Sequence, residues 1–272
     1  MPKQFGFSID SEITPPLKQF KVLLIGDSCI DQYIYGTCDR ISPEAPVPIL
    51  KYTREKRVDG MAYNVRNNLQ AFGLDVTTIT QEERIFKTRY IDERYSQQIL
   101  RVDTEGELKP FGASSLPVGY DLSREKFDAL VISDYDKGFI TSRRLFELVE
   151  WFDGPIFIDS KKTVLPVDDA FIKINDNEYS KLDKELKDSP NVIVTKGSQG
   201  VDYQGKNYPA VGVSVFDVCG AGDTFLSALV YFYLLYGKIE TAIPYANKAA
   251  AIAVTHFGTY VLSERDVNEI CN

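Results

Sequence analysis

The sequence contains few of the residues that build zinc sites and histidine-based catalytic centres. Among its 272 residues are four cysteines and one histidine. The cysteines, Cys29, Cys38, Cys219 and Cys271, show no CxxC or CxxH spacing, which argues against a metal site. Free, buried thiols in a reducing compartment are expected instead. His256 lies in an apolar stretch, so we expect it to pack rather than react, and no His-based triad can be built on it.

Long apolar runs and an excess of positive charge are also missing. No run approaches the ~20 apolar residues that span a bilayer, and the first residues lack the apolar segment of a signal peptide. We therefore expect a cytoplasmic protein, with a loose leader over residues 1–18 and no membrane partner. The formal net charge of −8 argues against a nucleic-acid partner, but a small anionic ligand needs only a local basic patch.

Short apolar segments alternate with segments of helical periodicity through most of the chain. The predicted strands are 21–26, 76–80, 129–133, 155–159, 171–174, 191–195 and 215–218. The predicted helices are 62–72, 141–152, one from about residue 177, 223–236 and 241–257. This alternation predicts an α/β fold with a mostly parallel sheet covered by helices on both faces. Two stretches that break the pattern, 31–58 and 87–104, are expected to form a small β lid on a domain covering residues 19–272.

The segment Asp217-Val-Cys-Gly-Ala-Gly-Asp223 is the strongest candidate for a catalytic site. A strand is expected to end there and to be followed by the turn Gly220-Ala221-Gly222 and a long apolar helix. Such a turn lets backbone N–H groups converge, and the helix N-terminus adds its positive dipole end. The segment therefore predicts an anion hole for a phosphoryl group, where Asp223 can accept a proton from an attacking hydroxyl. The alternative is a simple N-cap aspartate after a tight turn.

Two other segments at strand ends are typical of nucleotide sites. The run from residue 195 to residue 200 follows a strand, and its glycines permit close approach of a nucleotide; the alternative is an ordinary turn. Its candidate ligands are Thr195, Lys196, Gly197 and Gly200. Asn175 and Glu178 have a spacing that can orient waters around Mg²⁺. A helix cap with an acidic first turn explains that spacing equally well.

Polar residues earlier in the chain are candidates for an acceptor site. Asp27 and Asp31 follow the first strand, at the edge where open parallel sheets bind ligands. Two carboxylates there can hold ligand hydroxyls; the alternative is a solvated loop. Gly60 and Asn64 belong to a small-residue turn that leads into a helix. Three basic residues are candidates for binding a phosphate group: Arg89, Arg94 and Arg101. The alternative is that they form an exposed, charged face of a strand.

Taken in chain order, these segments resemble the signatures of the ribokinase-like (PfkB) carbohydrate kinases. The resemblance implies a three-layer α/β sandwich with a β lid, and an ATP-dependent kinase with Asp223 as its catalytic base. It also implies nucleotide binding at Thr195–Gly200 and near Asn247. Mg²⁺ would be supported through water by Asn175 and Glu178, and a monovalent cation such as K⁺ is expected near Asp217.

A more specific resemblance is carried by the segments 26–36 and 40–49, the second reading Arg-Ile-Ser-Pro-Glu-Ala-Pro-Val-Pro-Ile. They are similar to the D-glycero-β-D-manno-heptose-7-phosphate kinases of this family, the kinase half of bifunctional heptose-nucleotide synthesis proteins that supply lipopolysaccharide precursors. This resemblance covers residues 20–265. It implies phosphorylation of the sugar 1-hydroxyl. Asp27, Asp31 and Asn64 would hold the sugar, and Arg89 or Arg101 would hold the 7-phosphate.

The chain departs from that pattern at three places. Asp59-Gly60 stands where the family has Gly-Gly, and an acidic side chain facing the substrate would repel a sugar phosphate. Six residues, Gln81–Phe86, replace a strand–helix–strand excursion of about thirty residues. Lys173-Ile-Asn replaces an Asn-Pro-Asn type of sequence. Another sugar or nucleoside as acceptor, or a degenerate nucleotide-binding protein, therefore remain as alternatives. The lid is also a candidate surface for a homodimer, because exposed lid strands offer unpaired edges.

Overall fold

The computed structural model describes residues 19–112, 115–116 and 121–272, and the predicted leader over residues 1–18 lies outside them. The strands are β1 (Lys21–Gly26), β2 (Ser28–Ile41), β3 (Pro48–Met61), β4 (Asp75–Ile79), β5 (Phe86–Asp92), β6 (Gln97–Thr104), β7 (Ala129–Asp134), β8 (Ile156–Ser160), β9 (Phe171–Asn175), β10 (Val192–Thr195), β11 (Val201–Tyr203) and β12 (Lys206–Tyr208). The α-helices are α1 (Ala62–Ala71), α2 (Ser142–Trp151), α3 (Asp176–Lys181), α4 (Lys184–Lys187), α5 (Ala221–Tyr236), α6 (Ile239–Ala253) and α7 (Glu264–Cys271).

The main sheet has eight strands in the order β12-β11-β10-β9-β8-β7-β1-β4. The six strands from β10 to β4 run parallel, and β11 and β12 add an antiparallel hairpin at one edge. Because parallel strands end on the same side, the segments that follow β1, β7, β8, β9 and β10 meet at one edge of the sheet. Open α/β sheets bind their ligands at that edge.

Both faces of this sheet are buried, which explains why β1 reads as a continuous apolar run. Val22 and Leu24 belong to a core that contains residues of α1, α5 and α6. Leu23 and Ile25 belong to a second core on the other face, which contains residues of α2. Each fully buried side chain of this kind contributes about 1.5–3 kcal/mol to folding. The helices therefore cover the sheet from both sides, as the alternation of segments predicted.

The lid is a four-stranded sheet in the order β3-β2-β5-β6. Asp31 and Tyr33 of β2 are paired with Lys87 and Arg89 of β5, so these four side chains share one face, which we call the inner face of the lid. Tyr33 packs on Phe257, with ring centroids 5.7 Å apart. The inner face therefore turns toward the loop that follows α6.

The prediction of a strand at residues 215–218 is wrong. That segment has no strand partner, because the N–H groups of Phe216 and Asp217 both donate to the carbonyl of Val254 at the end of α6. Helix α5 begins at Ala221 rather than at Asp223, so most of the predicted glycine turn belongs to its first turn. The hairpin β11–β12 and helix α7 were not predicted.

Other sequence-based expectations have a mixed outcome. Cys29 is buried as expected, but Cys271 is exposed. His256 stacks on Tyr260 with ring centroids 3.6 Å apart, which is a packing contact. None of the helices in the described ranges combines the length and the apolarity needed to cross a membrane.

Candidate active site

The N-terminus of α5 forms the floor of a cleft at the carboxyl edge of the main sheet. Gly220 has φ 76°, a left-handed conformation that suits glycine, and a Cβ there would lie 2.8 Å from Asn64 Nδ2. A Cβ on Gly222 would lie 2.7 Å from Lys173 Nζ. The first N–H groups of a helix have no partner inside the helix and attract anions. Both glycines therefore let other groups approach a helix end suited to phosphate.

Asp223 lies in the first turn of α5 and is only 3% exposed. Its Oδ2 accepts a hydrogen bond from Asn64 Nδ2 at 3.0 Å, and its Oδ1 accepts one from the Tyr135 hydroxyl at 2.8 Å. Burial raises the pKa of Asp223 from 3.8 to about 6, against the opposing effect of these two hydrogen bonds. At neutral pH the carboxylate is therefore mainly ionised and can still accept a proton.

A buried ion pair lies beside this carboxylate. Lys173 of β9 and Asp159 of β8 are register partners, and Lys173 Nζ lies 2.6 Å from Asp159 Oδ2. Burial favours the neutral amine, but the Asp159 carboxylate outweighs this effect and raises the pKa of Lys173. The ammonium group thus stays charged next to Gly222. Sequence reasoning gave neither residue a role, because only the strand register brings them together.

Asn175 and Glu178 form a capping box at the start of α3. Glu178 N–H donates to Asn175 Oδ1 at 2.9 Å, and Asn175 N–H donates to Glu178 Oε2 at 2.8 Å. The other carboxylate oxygen of Glu178 is ion-paired with Lys161. The helix cap with an acidic first turn, the alternative explanation of this spacing, is thus present.

Two adjoining cavities extend from the helix end. One, of about 620 Å³, is lined by Asp159, Lys173, Gly222 and Asp223 together with the start of α3 and the loop after β10. The other, of about 270 Å³, is lined mainly by apolar residues of 210–218, α5 and α6. They share, among other residues, Thr195, Gly197, Val218 and Gly222. A polar compartment thus continues into an apolar one, which suits a ligand with an anionic end and a flat, largely apolar end.

The predicted nucleotide residues border these cavities. Thr195 and Gly197 line both, Lys196 lines the larger and Gly200 the smaller. Lys196 is ion-paired with Asp202 of β11. Asn247 of α6 also lines the smaller cavity, and its Nδ2 donates to the carbonyls of Tyr208 and Pro209 at 3.2 and 3.0 Å. Asn247 therefore ties α6 to the hairpin edge as well as bordering the cavity.

Asp27, a predicted ligand contact, lies directly after β1 at the carboxyl edge of the sheet. It is fully buried, and its Oδ2 accepts hydrogen bonds from the backbone N–H groups of Tyr135 and Lys137 at 2.7 and 3.2 Å. Burial raises its pKa to about 6. Oδ2 thus holds the loop after β7, whereas Oδ1 has no hydrogen-bond partner among the described residues. Asn64 is likewise fully buried and contacts Asp223 rather than an open acceptor site.

The inner face of the lid supplies the remaining predicted acceptor residues. Asp31 is ion-paired with Arg89, and its Oδ2 accepts a hydrogen bond from Thr259 Oγ1 at 3.3 Å. Gly60 leaves room for this carboxylate, because any Cβ at that position would meet Asp31. Arg101 is half-exposed and paired with Asp103. Both arginines that were predicted to hold a sugar phosphate, Arg89 and Arg101, therefore have a carboxylate partner.

Two expectations about charged side chains change with the structure. Asp59 pairs with Ile30 in the lid, so its side chain lies on the face opposite the inner face, where it accepts hydrogen bonds from Arg66 and Asn67. Asp59 therefore lies on the opposite face of the lid from Asp31 and Arg89, the residues predicted to contact the substrate. Arg94, the third basic candidate for a phosphate group, is bonded to Asp39 and Asp92 at the far end of the lid.

Asp217 fixes the loop that leads into α5. Its Oδ1 accepts a hydrogen bond from Cys219 N–H at 3.0 Å, and its Oδ2 accepts one from Gly258 N–H at 2.9 Å. Cys219 in turn contacts the guanidinium of Arg89 through its sulfur, at 3.7 Å. Asp217 therefore links the helix end to the loop after α6 and, through Cys219, to the lid.

Comparisons with known proteins agree with this geometry. Residues 170–265 match the model of the pfkB family carbohydrate kinases. The bifunctional protein HldE of Helicobacter pylori is 31% identical in an alignment that covers 93% of this chain and 67% of that protein. The chain belongs to the pfkB family of carbohydrate kinases. Members of such a family transfer phosphate from a nucleotide, so ATP use follows from the membership.

One further relative and two solved structures are also similar to this chain. The bifunctional protein HldE of a Nitratiruptor species is 30% identical over 92% of this chain, which spans 64% of that protein, slightly less than two thirds. Ribokinase from Thermotoga maritima has a TM-score of 0.68 at 17% identity, covering 93% of this chain and 99% of its own. Phosphofructokinase-2 from Escherichia coli in complex with potassium has a TM-score of 0.67 at 16% identity, with 93% and 97% covered. The predicted family, fold class and enzyme class are thereby confirmed.

Proposed function

We propose that this carbohydrate kinase transfers the γ-phosphoryl group of ATP to the 1-hydroxyl of D-glycero-β-D-manno-heptose 7-phosphate, with Asp223 as the general base. The observation that carries the proposal is the position of Asp223. Its carboxylate is buried, held on both oxygens, and placed in the first turn of a helix whose N-terminus suits a phosphoryl group. A simple N-cap aspartate would not need this environment, because its side chain would bond to its own helix.

The two adjoining cavities support a binding mode for ATP. The smaller, apolar cavity next to Asn247 suits the adenine ring, and the larger cavity suits the phosphates. The γ-phosphate then lies at the N-terminus of α5, close to Gly222 and Lys173. A fixed ammonium group and oriented N–H groups at this point stabilise the charge that develops during transfer, which is the main source of catalysis in phosphoryl-transfer enzymes.

The metal ions are expected to enter with the nucleotide. No cluster of three or more histidine, cysteine or acidic side chains that could hold a metal ion occurs within the described ranges. Mg²⁺ is commonly held by substrate phosphates, waters and one or two carboxylates, an arrangement that Asn175 and Glu178 fit only through water. It neutralises charge on the phosphates when bound. A K⁺ ion near Asp217 would use backbone or side-chain oxygens, because each side-chain oxygen of Asp217 accepts one hydrogen bond from an amide and keeps a second lone pair.

The chemical step follows from the position of the base. The acceptor hydroxyl attacks the γ-phosphorus, its proton passes to Asp223, and ADP leaves with the electrons of the broken phosphorus–oxygen bond. A positioned base contributes about 10²–10⁴-fold to the rate. In this proposal, Asp31 and its neighbours on the inner face of the lid contact the other hydroxyls of the sugar.

A second candidate acceptor is an unphosphorylated sugar or a nucleoside. The observation in its favour is that Arg89 and Arg101 both have carboxylate partners, Asp31 and Asp103. An anionic group on the acceptor must compete with these carboxylates for the guanidinium groups. In the sequence, Asp59 argued against a sugar phosphate as the acceptor. That argument no longer applies, because Asp59 lies on the opposite face of the lid.

The test is ATP consumption by the purified protein with Mg²⁺ and a panel of acceptors: heptose 7-phosphate, fructose 6-phosphate, ribose and adenosine. We expect turnover with heptose 7-phosphate, and loss of turnover with retained ATP binding in Asp223→Asn. Turnover with another acceptor alone would move the specificity and keep the base. Near-normal turnover of the Asp223→Asn variant would contradict the role of Asp223.

A further inference from the structure

Tyr135, which the sequence analysis left without a role, is bonded directly to the proposed base. It follows β7 at the carboxyl edge of the sheet, and its hydroxyl donates to Asp223 Oδ1 at 2.8 Å. Asn64 Nδ2 donates to the other oxygen, Oδ2, at 3.0 Å. Both oxygens of the carboxylate are therefore engaged by the protein itself.

The two hydrogen bonds lie on different sides of the carboxylate. Asn64 is fully buried and is itself fixed by Asn68, whose Nδ2 donates to Asn64 Oδ1 at 3.1 Å. Tyr135, in contrast, lines the larger cavity together with Gly222 and Asp223. The bond to Tyr135 is thus on the cleft side, and an acceptor hydroxyl has to reach Asp223 from the cleft.

We propose that Tyr135 is a positioning residue that holds the cleft-side oxygen of Asp223 and yields that oxygen to the acceptor hydroxyl. The inference rests on the proposed role of Asp223 as the base. For Asp223 the exchange replaces one O–H···O hydrogen bond by another, and the displaced tyrosine hydroxyl borders the larger cavity, where ligand or solvent oxygens can accept its hydrogen bond, so the exchange costs little net free energy. The carboxylate stays aligned throughout, because the bond to Asn64 is kept.

The surroundings of Tyr135 allow its ring to be held while its hydroxyl gives way. Its backbone N–H is fixed by Asp27 Oδ2 at 2.7 Å. The ammonium groups of Lys87 and Lys161 lie 5.1 and 5.4 Å from the ring centroid. These contacts involve the backbone and the ring, so removing the hydroxyl alone leaves them in place. Tyr135→Phe is therefore a specific probe of the bond to Asp223.

The change isolates one hydrogen bond among the groups that act on Asp223. The titratable groups that face it are Cys29 of β2, Tyr135, Asp159 of β8, Lys173 of β9 and Cys219 of the loop before α5. Tyr135→Phe alters none of the charges among them. Because a hydrogen bond to the ionised carboxylate lowers its pKa, its loss raises the pKa of Asp223 further above its ordinary value.

The test compares two pH profiles of Tyr135→Phe with those of the wild type, using any acceptor that the enzyme phosphorylates. The profile of kcat/KM reports the base before the acceptor binds, and the profile of kcat reports it afterwards. We expect the acidic limb of kcat/KM to move to higher pH by about one unit, and the acidic limb of kcat to stay where it is. Tyr231→Phe, which removes a hydroxyl from the same helix as Asp223 but far from the cleft, should move neither limb.

Two kinetic outcomes overturn the proposal. If neither limb moves, Tyr135 does not act on the base. If both limbs move equally, Tyr135 stays bonded during turnover and does not yield to the acceptor. The pKa of the Asp223 carboxyl can also be measured directly by ¹³C NMR, without any acceptor. The signal of Asp223 is assigned as the carboxyl signal that is missing in the Asp223→Asn variant. If the pKa of Asp223 is the same in Tyr135→Phe as in the wild type, the proposal is overturned, even if no acceptor in the panel is phosphorylated. This measurement therefore tests the role of Tyr135 independently of the identity of the substrate.

Discussion

Lys173 Nζ lies 2.6 Å from Asp159 Oδ2 and faces Gly222 at the helix N-terminus, so one ammonium group joins the sheet to the phosphoryl site. A cation beside the positive end of a helix dipole is unfavourable unless an anion completes the arrangement. Asp159 compensates part of this charge, and the γ-phosphate compensates the rest in the proposed complex. The pair therefore has a structural role and a catalytic role, which variants can separate.

Lys173→Met leaves the Asp159 carboxylate buried without its partner, which should lower the free energy of unfolding by about 3–5 kcal/mol. The double variant Lys173→Met with Asp159→Leu removes both charges and should recover most of that stability. It should still lose about 10²–10³-fold in kcat, as when one stabilising donor is removed. Urea unfolding and steady-state kinetics measure the two effects. Recovery of activity together with stability would show that Lys173 has only a structural role.

Replacing Gly222 by alanine adds one methyl group at the point where Lys173 approaches the N-terminus of α5. A Cβ there would lie 2.7 Å from Lys173 Nζ, so the ammonium group has to shift slightly while it keeps its ion pair with Asp159. We expect Gly222→Ala to fold with nearly the wild-type melting temperature and to lose most of its turnover. Gly106→Ala is the matched control, because nothing lies within 4 Å of a Cβ at that position. Equal activity of the two variants would contradict the proposed phosphate site.

The raised pKa of Asp223 predicts an activity that depends on pH near 6. Burial raises this pKa to about 6, and only the ionised carboxylate accepts a proton. The value of kcat/KM should therefore fall tenfold for each pH unit below about 6. The rate is measured with saturating ATP across pH 5–8. A profile that stays flat down to pH 5 would show that Asp223 is not the titrating base.

The same shift has a consequence for stability, with the opposite dependence on pH. A carboxyl group whose pKa is higher in the folded than in the unfolded state stabilises the fold at low pH, and this contribution is lost as the pH rises from about 4 to about 6. Asp223→Asn removes the buried charge. It should therefore raise the free energy of unfolding at pH 8 by up to about 3 kcal/mol and change it little at pH 4. Denaturant unfolding at both pH values measures this, and an equal effect at both would contradict the shift.

The parts of the site that the sequence predicted are those encoded locally. The strand ends, the glycines around Asp223 and the lid strands follow from short segments with their own periodicity. Tyr135 and the pair Lys173–Asp159 were not assigned roles, because their positions depend on strand order and register. The side of the lid on which Asp59 lies could not be predicted for the same reason. Side chains alternate between the two faces of a strand, so the face of Asp59 is known only once its pairing with Ile30 is known.

The outer surface of the lid carries the last prediction, a homodimer through the lid. Leu100 and Val102 of β6 lie on the face opposite the inner face, and their exposed fractions are 54% and 41%. Apolar side chains on an exposed strand beside an open sheet edge favour pairing with another chain. We expect sedimentation velocity to show a dimer at micromolar concentration, and a monomer after Leu100→Glu with Val102→Glu. Val164→Glu, an equally exposed position outside the lid, should leave the dimer intact, and a wild-type monomer would contradict the prediction.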